Sequence, residues 1–281
     1  MKIGFIGTGV MGKSMVRHLL KENEVTIYTR TKAKALPLIE EGAKWVDSIP
    51  EVCKGNAVVF TMVGFPSDVR EVYDLLFEAG EAGSIFVDCT TSSPALAKEL
   101  YEEGKAKGIS VIDAPVSGGD VGAQKGTLTI MCGGDKDAFE KVLPLLSQIG
   151  TNVQLQGGPG AGQHTKMCNQ IAIATNMIGV AEAVVYGQKA GLDMEHVLES
   201  IATGAAGSFS LSNYTPRILK GDYQPGFYIK HFIKDMKIAL EEAEKMGLKL
   251  PGLALAKELY EELAARGLAE KGTQAIIAWY D

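Results

Sequence analysis

The stretch GAGQHTKMCNQIAIATNMIGVA, residues 160–181, carries one full charge, Lys166, and no other follows until Glu182. An ammonium set in apolar surroundings gives up its proton more readily than one in water. The same lysine could instead snorkel its charged head to water from the helix end. A second cluster, GFIGTGVMGKSM, places Gly7, Gly9 and Gly12 in G-x-G-x-x-G spacing, the arrangement that lets a backbone approach a pyrophosphate. A third, DAPVSGGDVGAQKGTL at 113–128, sets Ser117, Gly118 and Gly119 where backbone N–H groups and a hydroxyl would cradle a carboxylate. Cys53, Cys89, Cys132 and Cys168 show no C-x-x-C spacing, and His18, His164, His196 and His231 are scattered. Neither a metal site nor disulfides are expected.

Elements must hold these groups in place. The 163–190 run lacks Pro and repeats its apolar residues at three and four, so it reads as a helix entered through the Gly-rich 157–162. With Lys166 its one full charge before Glu182, it lacks the charged face of a surface helix, so most of its circumference is expected to be covered by protein. The helix is expected to be shorter than the roughly 20 residues of a membrane span, and it holds Asn169, Gln170, Thr175 and Asn176, so no membrane is implied. Lys166 then sits near a first turn, where desolvation and the positive dipole end both lower an ammonium pKa.

Upstream, the β-rich runs KIGFI, VTIY, AVVFTM, SIFVD, SVID and TLTIM alternate with amphipathic helical stretches, which predicts a doubly wound, mainly parallel sheet covered on both faces. After NVQLQ, at 152–156, strand signals nearly stop and helices follow, with 203–230 turn-rich and irregular. The expected fold is α/β, a Rossmann-type dinucleotide-binding domain over 1–161 followed by an all-α substrate and oligomerisation domain over 162–281, joined by the long helix.

The glycine fingerprint lies between a strand and a helix, the context that gives it meaning: Gly7 for the tight turn, Gly9 for close approach, with Val10 and Met11 beside it, and Gly12 for helix packing. EVTIY ends at Tyr28, and Thr29, Arg30 and Thr31 stand where an NAD site usually carries Asp or Glu. No carboxylate is seen there to repel a 2′-phosphate, so NADP(H) is expected over NAD, with Arg30 on that phosphate. The alternative is that Arg30, Lys32 and Lys34 are only the polar start of a surface helix.

Over 281 residues the composition is globular, 46% hydrophobic and 22% charged, with a formal charge of −6 that argues against a nucleic-acid surface. The start MKIGFIGTGV enters a strand directly, which reads as cytoplasmic. In HFIKDMKIAL, Lys234 and Asp235 read, by helical period alone, as a solvated face.

Together these motifs resemble the β-hydroxyacid dehydrogenase family, the group of 3-hydroxyisobutyrate dehydrogenases and of tartronate, succinic semialdehyde and glyoxylate reductases, across essentially the whole chain. GFIGTGVMG is similar to its cofactor fingerprint, DAPVSGGDVGAQKGTL to its substrate loop, GAGQHTKMCNQ to its catalytic segment and IKDMKIA to its late K-D-L-x-x-A segment, with Met236 replacing Leu. The resemblance implies Lys166 as acid/base, Asn169 as its helper, and Ser117, Gly118 and Gly119 on the substrate carboxylate. It also implies Thr91, in VDCTTSSP, at the nicotinamide ribose, Met62 and Val63 beside the ribose and adenine, and Lys234 reaching the cofactor. The implied activity is hydride transfer between NADP(H) and a small carboxylate substrate, with reduction of an aldehyde acid the expected direction in the cell. Ser208, Phe209, Phe227 and Tyr228 are expected near the substrate, whose identity among C2 to C4 acids stays open. A homodimer or homotetramer is expected. The rival reading is a non-catalytic NADP-binding sensor or interaction module.

Overall fold

The structure, a computed structural model, describes residues 1–280. The chain divides into two compact units, Met1–Lys166 and Met167 onward.

In the first unit, β1 (Lys2–Ile6), β2 (Glu24–Tyr28), β3 (Lys44–Trp45), β4 (Val58–Thr61), β5 (Ile85–Asp88), β6 (Ser110–Asp113), β7 (Val116–Ser117), β8 (Leu128–Gly133) and β9 (Gly150–Gly157) share one sheet. Six run parallel in the order β3-β2-β1-β4-β5-β6; β8 is antiparallel to β6 and β7 and parallel to β9. The central strands are apolar on both faces because helices cover both. Phe5, Phe60 and Val87 pack into one core, and their neighbours Ile6, Val59 and Phe86 into the other. The covering helices are α1 (Val10–Leu19), α2 (Leu36–Glu40), α3 (Ile49–Cys53), α4 (Pro66–Ala79), α5 (Pro94–Ala106), α6 (Gly119–Lys125) and α7 (Lys136–Leu146). Strand order reverses between β1 and β4, so the carboxyl ends of these strands open the crevice where such sheets take ligands.

Helix α8 (Ala161–Lys189) begins in this unit and runs on into the second. There it packs with α9 (Met194–Ile201), α10 (Phe209–Leu219), α11 (Ile229–Lys245) and α12 (Pro251–Leu263) around Met177, Val184, Phe232, Met236 and Tyr260. Three sequence expectations need correcting. The segment 203–230 is not irregular throughout, because Ser208 caps α10 by accepting from Leu211 N at 3.0 Å. Helix α8 is 29 residues long and, by length and composition, apolar enough to cross a membrane. It is thus not shorter than a membrane span, and one side of it packs into the core of the second unit through Met177 and Val184, with Gln170 fully buried. Its circumference is also less covered than expected: Cys168, Ala172, Thr175, Gly179, Glu182 and Tyr186 form an exposed stripe. Up to Gly179 the stripe is made of small side chains, and Glu182 and Tyr186 extend it.

Candidate cofactor and catalytic sites

Gly7 turns the chain out of β1 with φ +97°, a conformation an L side chain rarely adopts, and its N–H donates to Tyr28 O at 2.9 Å. A Cβ there would collide with the carbonyl of Met62, and one on Gly12 with the carbonyl of Gly7. Gly9 differs: nothing lies within 4 Å of where its Cβ would be. Gly9 is also the N-cap of α1, which has no side-chain cap and no acidic residue in its first turn. The first N–H groups of a helix lack internal acceptors, so this turn, with Val10 and Met11, fits a pyrophosphate.

Beside it, the loops after β4 and β5 are tied by one buried network. Asp88 Oδ1 accepts from Thr61 Oγ1 at 2.8 Å and from Thr90 N at 3.0 Å, and Thr90 Oγ1 accepts from Val63 N at 3.0 Å. Met62 N donates to Ile6 O at 2.9 Å. Met62, Val63 and Thr91 are thus carried by loops fixed to the strand ends. Burial, opposed by these hydrogen bonds, pushes the Asp88 carboxyl up to about 6.

The start of α8 is held in the same way. Asp113, at the end of β6 and paired in register with Asp88, accepts from Gly160 N and Gln163 N, both at 2.8 Å. Its carboxyl is raised chiefly by burial despite those backbone donors. Gln163, fully buried, donates to Thr90 O at 2.7 Å and accepts from Ser92 N at 2.9 Å, clasping the loop on either side of Thr91. One turn further, Lys166 is buried with 7% of its surface exposed. Asp113, Gln163 and Asp88 were missed by sequence reasoning; acidic residues ending two apolar strands were the only signal available.

Ser117 ends β7, and Gly118 and Gly119 follow with φ of 128° and 63°. Instead of a plain loop, the chain turns directly into α6, and its first N–H groups carry no side-chain cap.

The surroundings of Arg30 also differ from the expectation that no carboxylate stands there. Asp68, at the start of α4, places Oδ1 3.1 Å from the Arg30 guanidinium, while its Oδ2 accepts from Phe65 N at 3.0 Å. The carboxylate absent from the segment after β2 is supplied from 38 residues downstream, a juxtaposition that only the parallel β1–β4 pairing creates. Thr31 precedes a short 3₁₀ turn, Lys32–Lys34, and Lys32 lies over the Trp45 ring. Thr29 directly follows β2.

In the second unit, Asn169 Nδ2 donates to Gln170 Oε1 at 2.7 Å, and Gln170 Nε2 donates to Asp235 Oδ2 at 2.6 Å. Lys234 Nζ lies 3.1 Å from Asp235 Oδ1. This pair is not a solvated face: the Lys234 and Asp235 side chains are 10% and 1% exposed. Of the residues expected near the substrate, Ser208 caps α10, Phe227 packs on Phe232, and Phe209 is exposed.

Residues 2–158 match the profile of the NAD binding domain of 6-phosphogluconate dehydrogenase, and 160–280 match the NAD-binding domain of NADP-dependent 3-hydroxyisobutyrate dehydrogenase. The chain belongs to the β-hydroxyacid dehydrogenase family. An Arabidopsis thaliana relative, a probable mitochondrial 3-hydroxyisobutyrate dehydrogenase-like protein, is 50% identical, covering 98% of this chain and 84% of its own. The 2-hydroxy-3-oxopropionate reductase of Escherichia coli is 36% identical over 99% and 96%. Among solved structures, 3-hydroxyisobutyrate dehydrogenase from Mycobacterium tuberculosis with L-serine superposes with a TM-score of 0.91 at 28% identity, covering 99% and 98% of the two chains. As a β-hydroxyacid dehydrogenase, the chain is an oxidoreductase with NAD(P)-binding domains, and the resemblance drawn from its four motifs holds.

Proposed function

We propose that this β-hydroxyacid dehydrogenase transfers hydride between NADP(H) and a small carboxylate substrate, working chiefly as a reductase of an aldehyde acid. The observation that carries the reading is Lys166, buried one turn into a helix whose start is pinned by Asp113 and Gln163. The bound nicotinamide supplies the hydride at its C4 for the carbonyl carbon. Lys166, as ammonium, gives its proton to the carbonyl oxygen as the alkoxide develops; in oxidation the amine removes the hydroxyl proton. Asn169, at i+3 on the same helix face, assists Lys166. Ser117, Gly118 and Gly119 hold the substrate carboxylate through a hydroxyl and N–H groups, which fixes the carbonyl for attack. Gly7, Gly9, Val10, Met11 and Gly12 take the pyrophosphate, Met62 and Val63 line the adenosine side, and Thr91 and Lys234 meet the nicotinamide side.

The preference for NADP(H) is supported by Thr29, Arg30 and Thr31 after β2. A structure similar to this chain at a TM-score of 0.92 and 26% identity, Psf3 in complex with NADP+ and 2-OPP, is consistent with it.

The test is NADPH oxidation by the purified protein and its Lys166→Ala variant against glyoxylate, tartronate semialdehyde, succinic semialdehyde and methylmalonate semialdehyde, with NADH in parallel. Turnover of one acid with NADPH, lost by several orders of magnitude in a variant that still binds the cofactor, is expected. Tight NADPH binding by a wild type that reduces none of them would instead favour a non-catalytic binding module.

A further inference from the structure

Asp235 is fully buried, and its two oxygens are divided between Lys234 and Gln170. A carboxylate only accepts hydrogen bonds. The Gln170 amide, itself fully buried, must therefore give its NH₂ to Asp235 and turn its carbonyl Oε1 the other way. On that side Oε1 can only accept, and Asn169 Nδ2 is the donor it takes. The direction of one amide thus dictates the next. With Nδ2 committed to Gln170, the Asn169 amide turns Oδ1, its acceptor end, away from Gln170.

We propose that Asp235 and Gln170 are positioning residues that set the polarity of this chain and so present Asn169 to the reaction centre as a hydrogen-bond acceptor. The proposal rests on the reading that Lys166 and Asn169 form that centre. A lysine ammonium that gives one N–H to the reacting oxygen has further N–H bonds to satisfy. An acceptor on its helix face serves them, whereas an amide turned round would set an NH₂ against them. The negative charge that fixes the arrangement thus sits two hydrogen bonds from the amide it orients, on a different helix.

An exchange of groups tests this. Asp235→Asn frees Gln170 to turn round, and kcat is expected to fall about tenfold, the worth of roughly one hydrogen bond. Gln170→Glu combined with Asp235→Asn swaps carboxylate and amide: Asn at 235 donates to Glu at 170, which still accepts from Asn169. Polarity and net charge are preserved, and kcat is expected to return to within about threefold of wild type. Cofactor KM is followed separately, because Lys234 pairs with Asp235. Full kcat in Asp235→Asn, or a folded double variant no faster than the single one, would overturn the proposal. Should the variants not fold, neutron diffraction of the wild-type protein decides: deuterium on the Asn169 atom facing Gln170 supports the chain, and its absence there overturns it. A fully active Lys166→Ala would mean that the reading of the centre had failed. Loss in Lys166→Ala beside an unaffected Asp235→Asn would sink the polarity chain alone.

Discussion

Gln163, in the first turn of α8, donates its Nε2 to the carbonyl oxygen of Thr90 at 2.7 Å. Its other end accepts from Ser92 N at 2.9 Å, so one buried amide replaces the two hydrogen bonds a neighbouring strand would make. The helix that carries Lys166 and the loop that carries Thr91 are thereby one rigid piece. Gln163→Met keeps the length of the side chain and leaves a buried N–H and C=O unpaired. A loss of about 2–4 kcal/mol in denaturant unfolding is expected. A cofactor KM that rises with it would show that the clasp positions the loop; unchanged stability would mean that the two backbone groups find other partners.

Gly9 and Gly12 separate folding from binding. A methyl on Gly12 runs into the Gly7 carbonyl, whereas one on Gly9 meets no protein atom within 4 Å. Gly12→Ala should lower the melting temperature, as overpacking does at roughly 1–3 kcal/mol. Gly9→Ala should melt like wild type yet bind cofactor at least about tenfold more weakly, since its methyl occupies the pyrophosphate's approach. Calorimetry and fluorescence titration of the two variants check both halves.

Asp88 makes stability depend on pH in a direction opposite to most acidic groups. Its folded pKa, about 6, lies above its ordinary value of 3.8. The folded state then holds a proton that the unfolded state has released, so this contribution is present below pH 3.8 and is lost as pH rises through 6. Asp88→Asn removes the dependence. Relative to wild type it should be equal in stability near pH 4 and more stable at pH 7.5, with a ceiling of about 3 kcal/mol for two pKa units. Urea unfolding at four pH values reads the difference, and a variant less stable at pH 7.5 would show that the ionised carboxylate is favoured by its hydrogen bonds.

Asp68 competes for Arg30. In the proposed NADP(H) reading, a 2′-phosphate must share or displace a carboxylate 3.1 Å from the guanidinium. Asp68→Asn retains an oxygen to accept from Phe65 N and removes the competing charge. NADPH should bind several-fold more tightly while NADH changes little. Equal gains for both cofactors would place the phosphate elsewhere.

The sheet and its glycine turn were legible because apolar runs and φ-demanding glycines are local signals. KIGFI, SIFVD and SVID mark their strands to within a residue or so. What periodicity could not reach was pairing between distant residues. Asp68 against Arg30, Asp113 against Gln163 and Asp235 against Gln170 depend on strand order and helix packing, so Asp235 looked solvated although it is buried. The short helix α10 was hidden by the turn-forming residues around it, since Ser208 serves equally as a loop residue and a cap.

The contact of Asp113 with the start of α8 spans 47 and 50 residues of chain. A helix whose first turn is tied to a strand made so much earlier cannot take its final position until β6 has entered the sheet. Lys166 is therefore positioned through a strand laid down well before it in the chain, and a misfolded sheet leaves the start of α8 without a fixed place.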